Sequence, residues 1–491
     1  MTFRTLMIKT HRVLGTLVSI FFVAWFLSAF VMIYHGFPKF SSDEAHRLHP
    51  SLPNFSPSDS LLAVMEAMRT HSPEGKPSSL SLSYNPVVGH HLATSGGGEE
   101  HWFTLEGKAI TPEAPTVEVC HRVAALWSDK IERIDTLTTL DQWTPFSRLR
   151  EDLPFYRLNL SQQGRKVYLS GRDGHIITEH TRSERIWAWL GAIPHWVYFT
   201  WIRENRDLWE NLIIFLSGLG SLMTLTGLYI GIDVFVRTRK SKRGVHSPYK
   251  RRSYRWHHIM GTLGGIFILA WVLSGLMSLA DIPRSINGSP KQNAREVLSE
   301  QALPLGSYPK NLINQILSRG DVRSLRWSSV GNIPTIKATD SLDQTICYDA
   351  RTDLPTPLNL ERSQLEQLIG HIYTDRTWQI DRLEEYDGYY ISRNGSLPLP
   401  VWRIQIEAED NPYIYVHSQS GMVRTLDRRD RWQMWVYNKP HSLKFTWLVD
   451  KPILWQIVCW VLLLVGTVVS VTGVILGVRY LRRSLKPKSK R

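Results

Sequence analysis

The sequence predicts a membrane protein: four transmembrane α-helices in two parallel repeats at an offset of 246 residues, with an α+β domain in each repeat on the outer side. Three observations predict this. The apolar residues of the 491-residue chain gather in four charge-free blocks, the basic surplus lies in three short segments, and the second half rewrites the first.

The blocks are residues 13–34, 211–232, 259–280 and 453–478, each at least 22 residues long. A helix rises about 1.5 Å per residue and the hydrocarbon layer is about 30 Å thick, so each block can cross. The first follows a short basic stretch, as a cleaved secretory signal would. Its apolar run exceeds a signal core, however, and ends in MIYHGFPKF with no small-x-small cleavage pattern, so a retained helix is expected.

Net charge is +14, but its distribution argues against nucleic acid as a partner. Residues 1–12, 237–258 and 479–491 hold three, nine and seven Lys/Arg and no Asp or Glu. Setting those 19 aside leaves 39 of the 58 basic residues against all 44 acidic ones. Such a bias places the three segments on the cytoplasmic face of a bilayer. The expected order is a tail and first helix over 1–34, an outer domain over 35–182, and an interfacial segment and second helix over 183–236. A basic cytoplasmic loop follows over 237–258, then the third helix over 259–280 and a second outer domain over 281–427. The fourth helix with its interfacial segment takes 428–478, and the basic tail 479–491. In a bacterium this is a multi-pass inner-membrane protein with both domains in the periplasm.

The repeat is direct. HRVLGTLVSIFFVAWFLS at 11–28 matches HHIMGTLGGIFILAWVLS at 257–274, and the offset of 246 also relates Arg157 to Arg403, His195 to His441 and Trp209 to Trp455. Two halves that both start in the cytoplasm relate by a pseudo-twofold along the membrane normal, so equivalent residues can face each other. Small residues such as Gly15/Gly261 and Gly227/Gly473 suit close helix packing. In the outer domains KVYLSGRDGHIITE and YIYVHSQSGMVRTL alternate as strand, turn and strand, while PSDSLLAVMEAMRTHS and ERSQLEQLIGHIY have helical spacing. Trp- and Tyr-rich segments before the second and fourth helices suit the headgroup boundary.

Most of the 18 histidines lie in polar stretches and need no special account. His11 and His257 open helices on the cytoplasmic side; His195 and His441 precede helices on the outer side. A buried imidazole must use both nitrogens, and metal ligation is a common way to use one. Two imidazoles opposed across a twofold supply both axial positions of a haem iron. The expectation is one haem on His11 and His257 and a second on His195 and His441, two stacked cofactors in all. Without CxxCH they would be non-covalent, hence b-type. His35 and His258 are rival ligands, since their equivalents are Asp281 and Arg12. Arg157 and Arg403 could meet haem propionates, although a strand ion pair is the simpler reading. Trp201 and Trp447 could flank an outer haem or anchor the interface. Three cysteines make no disulfide framework. With no GxGxxG, no P-loop and only short cytoplasmic segments, electrons would come from a separate donor, a quinol or a soluble reductase.

HRVLGTL…AWFLS and HHIMGTL…AWVLSG resemble the PepSY-associated transmembrane family, whose hallmark is a His shortly before a Gly at the cytoplasmic helix start. IPHWVYFTW and KPHSLKFTW resemble its second His motif, and SGRDGHII and HSQSGMVR the close of a PepSY domain. The resemblance spans most of the chain. It implies haem ligation by His11, His257, His195 and His441, PepSY-like outer domains, and the activity of iron-regulated inner-membrane proteins that reduce ferric siderophores or other periplasmic ferric complexes. An alternative is a non-catalytic membrane protein that binds or regulates a periplasmic partner. A permease is disfavoured because the blocks lack mid-helix ionisable residues.

Overall fold

The computed structural model describes residues 1–53, 79–96, 99–240, 247–280, 298, 308–407 and 411–485. The helix expected within 57–72 lies outside these, as do 241–246 of the basic loop and 486–491 of the tail.

Among the described residues four helices are long and apolar enough to span a membrane: α1 (Phe3–Met32), α5 (Arg206–Lys240), α6 (Arg252–Leu279) and α11 (Pro452–Ser484). Each runs past its apolar block into flanking polar sequence, so the basic loop contributes residues to α5 and α6. The helices form a bundle in which α1 and α6 each pack on both α5 and α11. Equivalent helices therefore sit diagonally opposed. Glycines allow the close approaches: a Cβ on Gly231 would lie 2.4 Å from Thr262 Oγ1, and one on Gly466 2.2 Å from Phe26 Cε1. The centre holds Val18, Phe22, Phe26, Ile268, Val272 and Leu463. Arg4 pairs with Asp233 at 2.9 Å, tying the start of α1 to the end of α5.

Away from this basic end the described residues build three antiparallel sheets. β1 (Ser79–Asn85), β2 (Gly89–Gly96), β3 (Glu99–Phe103) and β4 (Ala109–Ile110) come from the first half. They share one seven-stranded sheet with β9 (Val322–Val330), β10 (Ile333–Asp340) and β11 (Thr345–Asp349) of the second, in the order β11-β10-β9-β1-β2-β3-β4. β5 (Ile131–Leu137), β6 (Phe155–Leu160), β7 (Lys166–Leu169) and β8 (Ile176–His180) form a four-stranded sheet. β12 (Trp378–Leu383), β13 (Val401–Ile406), β14 (Tyr413–His417) and β15 (Val423–Leu426) form its counterpart. The helices α2 (Val117–Leu126) and α8 (Arg362–Ile372) pack on these two sheets through Val119, Val123, Leu365 and Ile369. The true counterpart of ERSQLEQLIGHIY is thus the helix at 117–126, where the repeat offset puts it.

The seven-stranded sheet joins the two halves. Leu80 pairs with Trp327 and Ser81 with Arg326. A shift by the repeat offset turns either pair into the other, so the pseudo-twofold passes through the β1–β9 ladder. On one face Leu80, Leu82, Leu92, Leu325, Trp327 and Ile336 are buried against α7 (Lys310–Leu317). Cross-strand apolar pairing of this kind clamps the two halves together. The offset itself slips to 247 within the hairpins, where Tyr168 matches Tyr415. A bulge beside Leu169 in the β7–β8 ladder, absent from β14–β15, restores it before the next helix.

Candidate functional site

The four repeated histidines form two facing pairs. His11 on α1 and His257 on α6 have ring centroids 6.1 Å apart with planes at 48°. His195, on the short helix α4 (Ala192–Trp196), and His441, on α10 (Lys439–Ser442), have centroids 6.3 Å apart at 65°.

Each ring spends Nδ1 on the polypeptide. The Nδ1 of His11 lies 2.9 Å from the Met223 carbonyl, and that of His257 3.1 Å from the Val469 carbonyl and 3.1 Å from Thr472 Oγ1. At the outer pair, His195 Nδ1 is 3.2 Å from Ser28 Oγ and His441 Nδ1 is 3.0 Å from Ser274 Oγ. The Trp25 and Trp271 carbonyls follow at 3.3 and 3.2 Å. Carbonyl contacts require the proton on Nδ1, which leaves Nε2 as a lone-pair donor. Among the described residues no Nε2 of the four has a hydrogen-bond partner.

The outer rings are aimed by their backbone. Val197 and Leu443, the residues that end the two short helices, adopt left-handed φ values of 55° and 50°. Trp209 Nε1 donates to the Trp196 carbonyl at 2.7 Å, and Trp455 Nε1 to the Ser442 carbonyl at 3.1 Å. Burial, and then the neighbouring His441 ring, pushes His195 down to about 4, and burial lowers His441 as well. Both are neutral near pH 7, the form that binds metal.

Each pair presents two Nε2 atoms without hydrogen-bond partners among the described residues, on rings whose centroids are 6.1 or 6.3 Å apart, a donor set and spacing that would suit a metal centre held between two imidazoles. Beside the inner pair, one turn beyond each histidine, a Cβ on Gly15 or Gly261 would meet nothing closer than 3.8 Å. From His11 to Ser28 is 17 residues of helix, roughly 26 Å. Phe22 and Phe26 fill the bundle between, with Trp25 and Trp271 rings 5.8 Å from them.

The other sequence candidates lie elsewhere. His35 stacks on Trp187 with centroids 4.5 Å apart at 6°. His258 turns to Ser247 Oγ at 3.1 Å and to the Tyr249 ring. Neither joins a pair. Arg157 binds Asp135 at 2.7 Å and Asp141 at 3.3 Å; Arg403 binds Asp381 at 2.9 Å and Asp387 at 3.4 Å. Tyr168 and Tyr415 donate to Asp141 and Asp387 at 2.7 and 2.8 Å. This duplicated network belongs to the four-stranded sheets and already pairs both guanidinium groups with carboxylates, although Arg403 Nε is buried without a hydrogen-bond partner. Trp201 and Trp447 are 71% and 60% exposed, as interface anchors would be. The three cysteines are free and buried.

One cluster carries no repeat signal and escaped sequence reasoning. Asp152, Asp173 and His175 bring ligand atoms within 4.8 Å of one another. Arg172 lies 3.8 and 3.3 Å from the two carboxylates, and His175 is 2.6 Å from Asp173. The Arg172 guanidinium already faces both carboxylates, and the equivalents at 398, 420 and 422 are Pro, Ser and Met. No family model and no curated protein matches the chain.

Proposed function

We propose that the protein is a di-haem b-type oxidoreductase of the bacterial inner membrane. It passes electrons from a cytoplasmic or quinol donor to a ferric siderophore or another periplasmic ferric complex. The observation that carries this reading is the pair of facing histidine couples, with ring centroids 6.1 and 6.3 Å apart, each with Nδ1 satisfied and Nε2 free. The resemblance to the PepSY-associated transmembrane family points the same way, and the basic residues at the helix ends favour an orientation with both termini in the cytoplasm.

His11 and His257 would hold the cofactor near the basic end, and His195 and His441 the one nearer the sheets. When bound, haem supplies an iron that takes up and releases one electron. The polypeptide's part is to bind and orient. The Met223 and Val469 carbonyls fix the inner tautomers, and Ser28 and Ser274 fix the outer ring planes. Phe22, Phe26 and their neighbours exclude water from the gap, which keeps the path in a low-dielectric medium. The Trp-rich segments hold the outer pair at headgroup depth, within reach of a water-soluble acceptor.

Stopped-flow mixing of the dithionite-reduced protein with a ferric chelate tests the reading. Rapid re-oxidation with one equivalent of Fe(II) formed per electron is expected. A colourless protein would instead support the alternative of a binding or regulatory membrane protein. A coloured one inert to every ferric chelate would refute the acceptor class.

A further inference from the structure

The outer histidine pair is symmetric, but its surroundings are not. On the His441 side, Arg428 to Ser442 is one continuous helical stretch: α9 (Arg428–Gln433), a π-helical turn over Met434–Asn438, and α10. π-turns of this kind frequently mark functional sites. The stretch walls a pocket of about 340 Å³ lined by Tyr389, Arg428, Arg431, Trp432 and Trp435. That volume lies at the small end of ligand pockets.

Beside this lining, a residue outside it supplies buried charge. Lys439 is only 6% exposed, and its Nζ sits 3.4 Å from the Trp435 ring centre and 5.6 Å from that of Tyr389, the two rings that also wall the pocket. Trp435 Nε1 reaches Tyr389 Oη at 3.3 Å, which fixes both rings. The ammonium has cation–π contacts and no hydrogen bond or ion pair among the described residues. In the first half Arg182, Arg185 and Trp189 stand where Arg428, Arg431 and Trp435 do, but Ile193 and Ile186 replace Lys439 and Trp432, so the buried lysine has no counterpart at its repeat position. Trp435 precedes His441 by six residues, roughly 9 Å of helix.

We propose that this pocket is the acceptor seat and that it takes an anionic, aromatic oxygen chelate of the catecholate class, one arm at a time. Arg428 and Arg431 on the lining, with Lys439 against the Trp435 ring, match the negative charge of such a chelate, and three aromatic walls match its rings. The inference rests on the electron-transfer reading, because only the short path to His441 makes the bound chelate an acceptor. An anionic lipid headgroup would satisfy the cations but not the stacking walls.

The test uses a redox-inert probe. Gallium(III) tris-catecholate is titrated against the full-length protein in phosphatidylcholine nanodiscs, with tryptophan fluorescence as readout. Saturable binding is expected. Lys439→Met and Trp435→Leu should each weaken it at least about tenfold, while Ile193→Met, the counterpart position, should not. Unchanged affinity in both pocket variants, or no binding to the wild type, overturns the site. So does equal tryptophan quenching by phosphatidylglycerol alone, which would mark a lipid seat. Haem content measured on the same samples keeps the outcomes apart: an intact bis-histidine spectrum with no gallium binding removes the pocket and leaves the oxidoreductase reading standing. Should Lys439→Met fail to fold, Arg428→Gln at the pocket rim provides the same comparison.

Discussion

Ser28 Oγ on α1 lies 3.2 Å from Nδ1 of His195, and its repeat Ser274 lies 3.0 Å from His441. Each outer ring is thus oriented by a hydroxyl from a helix other than its own, so ring position depends on bundle packing. Ligand-orienting partners are typically worth ten- to a hundred-fold in metal affinity. Ser28→Ala and Ser274→Ala should each lower outer-site haem affinity by about tenfold, measured by competition with apomyoglobin, and leave inner-site affinity unchanged.

The inner pair has an asymmetric weakness. A Cβ on Gly227 would lie 2.6 Å from Cε1 of His11, whereas one on Gly473 would lie 3.5 Å from Cε1 of His257. The first distance forces the ring to move; the second is ordinary contact. Gly227→Ala should lose most of the inner haem and Gly473→Ala should retain it, read as haem per chain.

Acid should weaken the haem-free protein through the outer pair. His195 is pushed down to about 4 when folded and titrates near 6.5 when unfolded, so below 6.5 the unfolded chain binds the extra proton first. Its contribution is complete above pH 6.5 and is lost as pH falls toward 4, roughly 3 kcal/mol in all. His49 is lowered to about the same value by burial and then by His46, so wild-type melting alone does not isolate the pair. His195→Gln should flatten the fall in Tm between about pH 7 and 4.5 relative to wild type.

Arg157 separates an ion-pair role from a cofactor role. Its guanidinium and the Asn159 amide, working against desolvation, hold the Asp135 carboxyl down at about 2. Removing the arginine leaves Asp135 and Asp141 short of a counter-charge. Arg157→Met should destabilise the first outer domain by about 2 kcal/mol, seen as a lower Tm, with haem content unchanged.

What the sequence made legible depended on local signals and on the repeat. Four uninterrupted apolar blocks specify helices without tertiary context, and the offset identifies His11 with His257 and His195 with His441 as positions that a twofold brings together. The shared sheet was hidden because β1 and β9 lie in opposite halves of the chain, and SLSLSYN reads as a weak strand with serine on one face. The helix at 117–126 was passed over because VEVCHRVAAL is short and interrupted by His and Arg, and a longer pattern upstream competed with it. Lys439 was missed for a different reason: its aromatic partners Tyr389 and Trp435 come from separate segments, and nothing at its repeat position announces a charge.

The most direct test of the central claim is haem quantified per chain alongside low-temperature electron paramagnetic resonance of the oxidised protein. Two haems per chain with low-spin bis-imidazole signals are predicted, one lost on His195→Ala or His441→Ala and the other on His11→Ala or His257→Ala. Absence of haem from the wild type, or full occupancy in all four variants, would contradict the account.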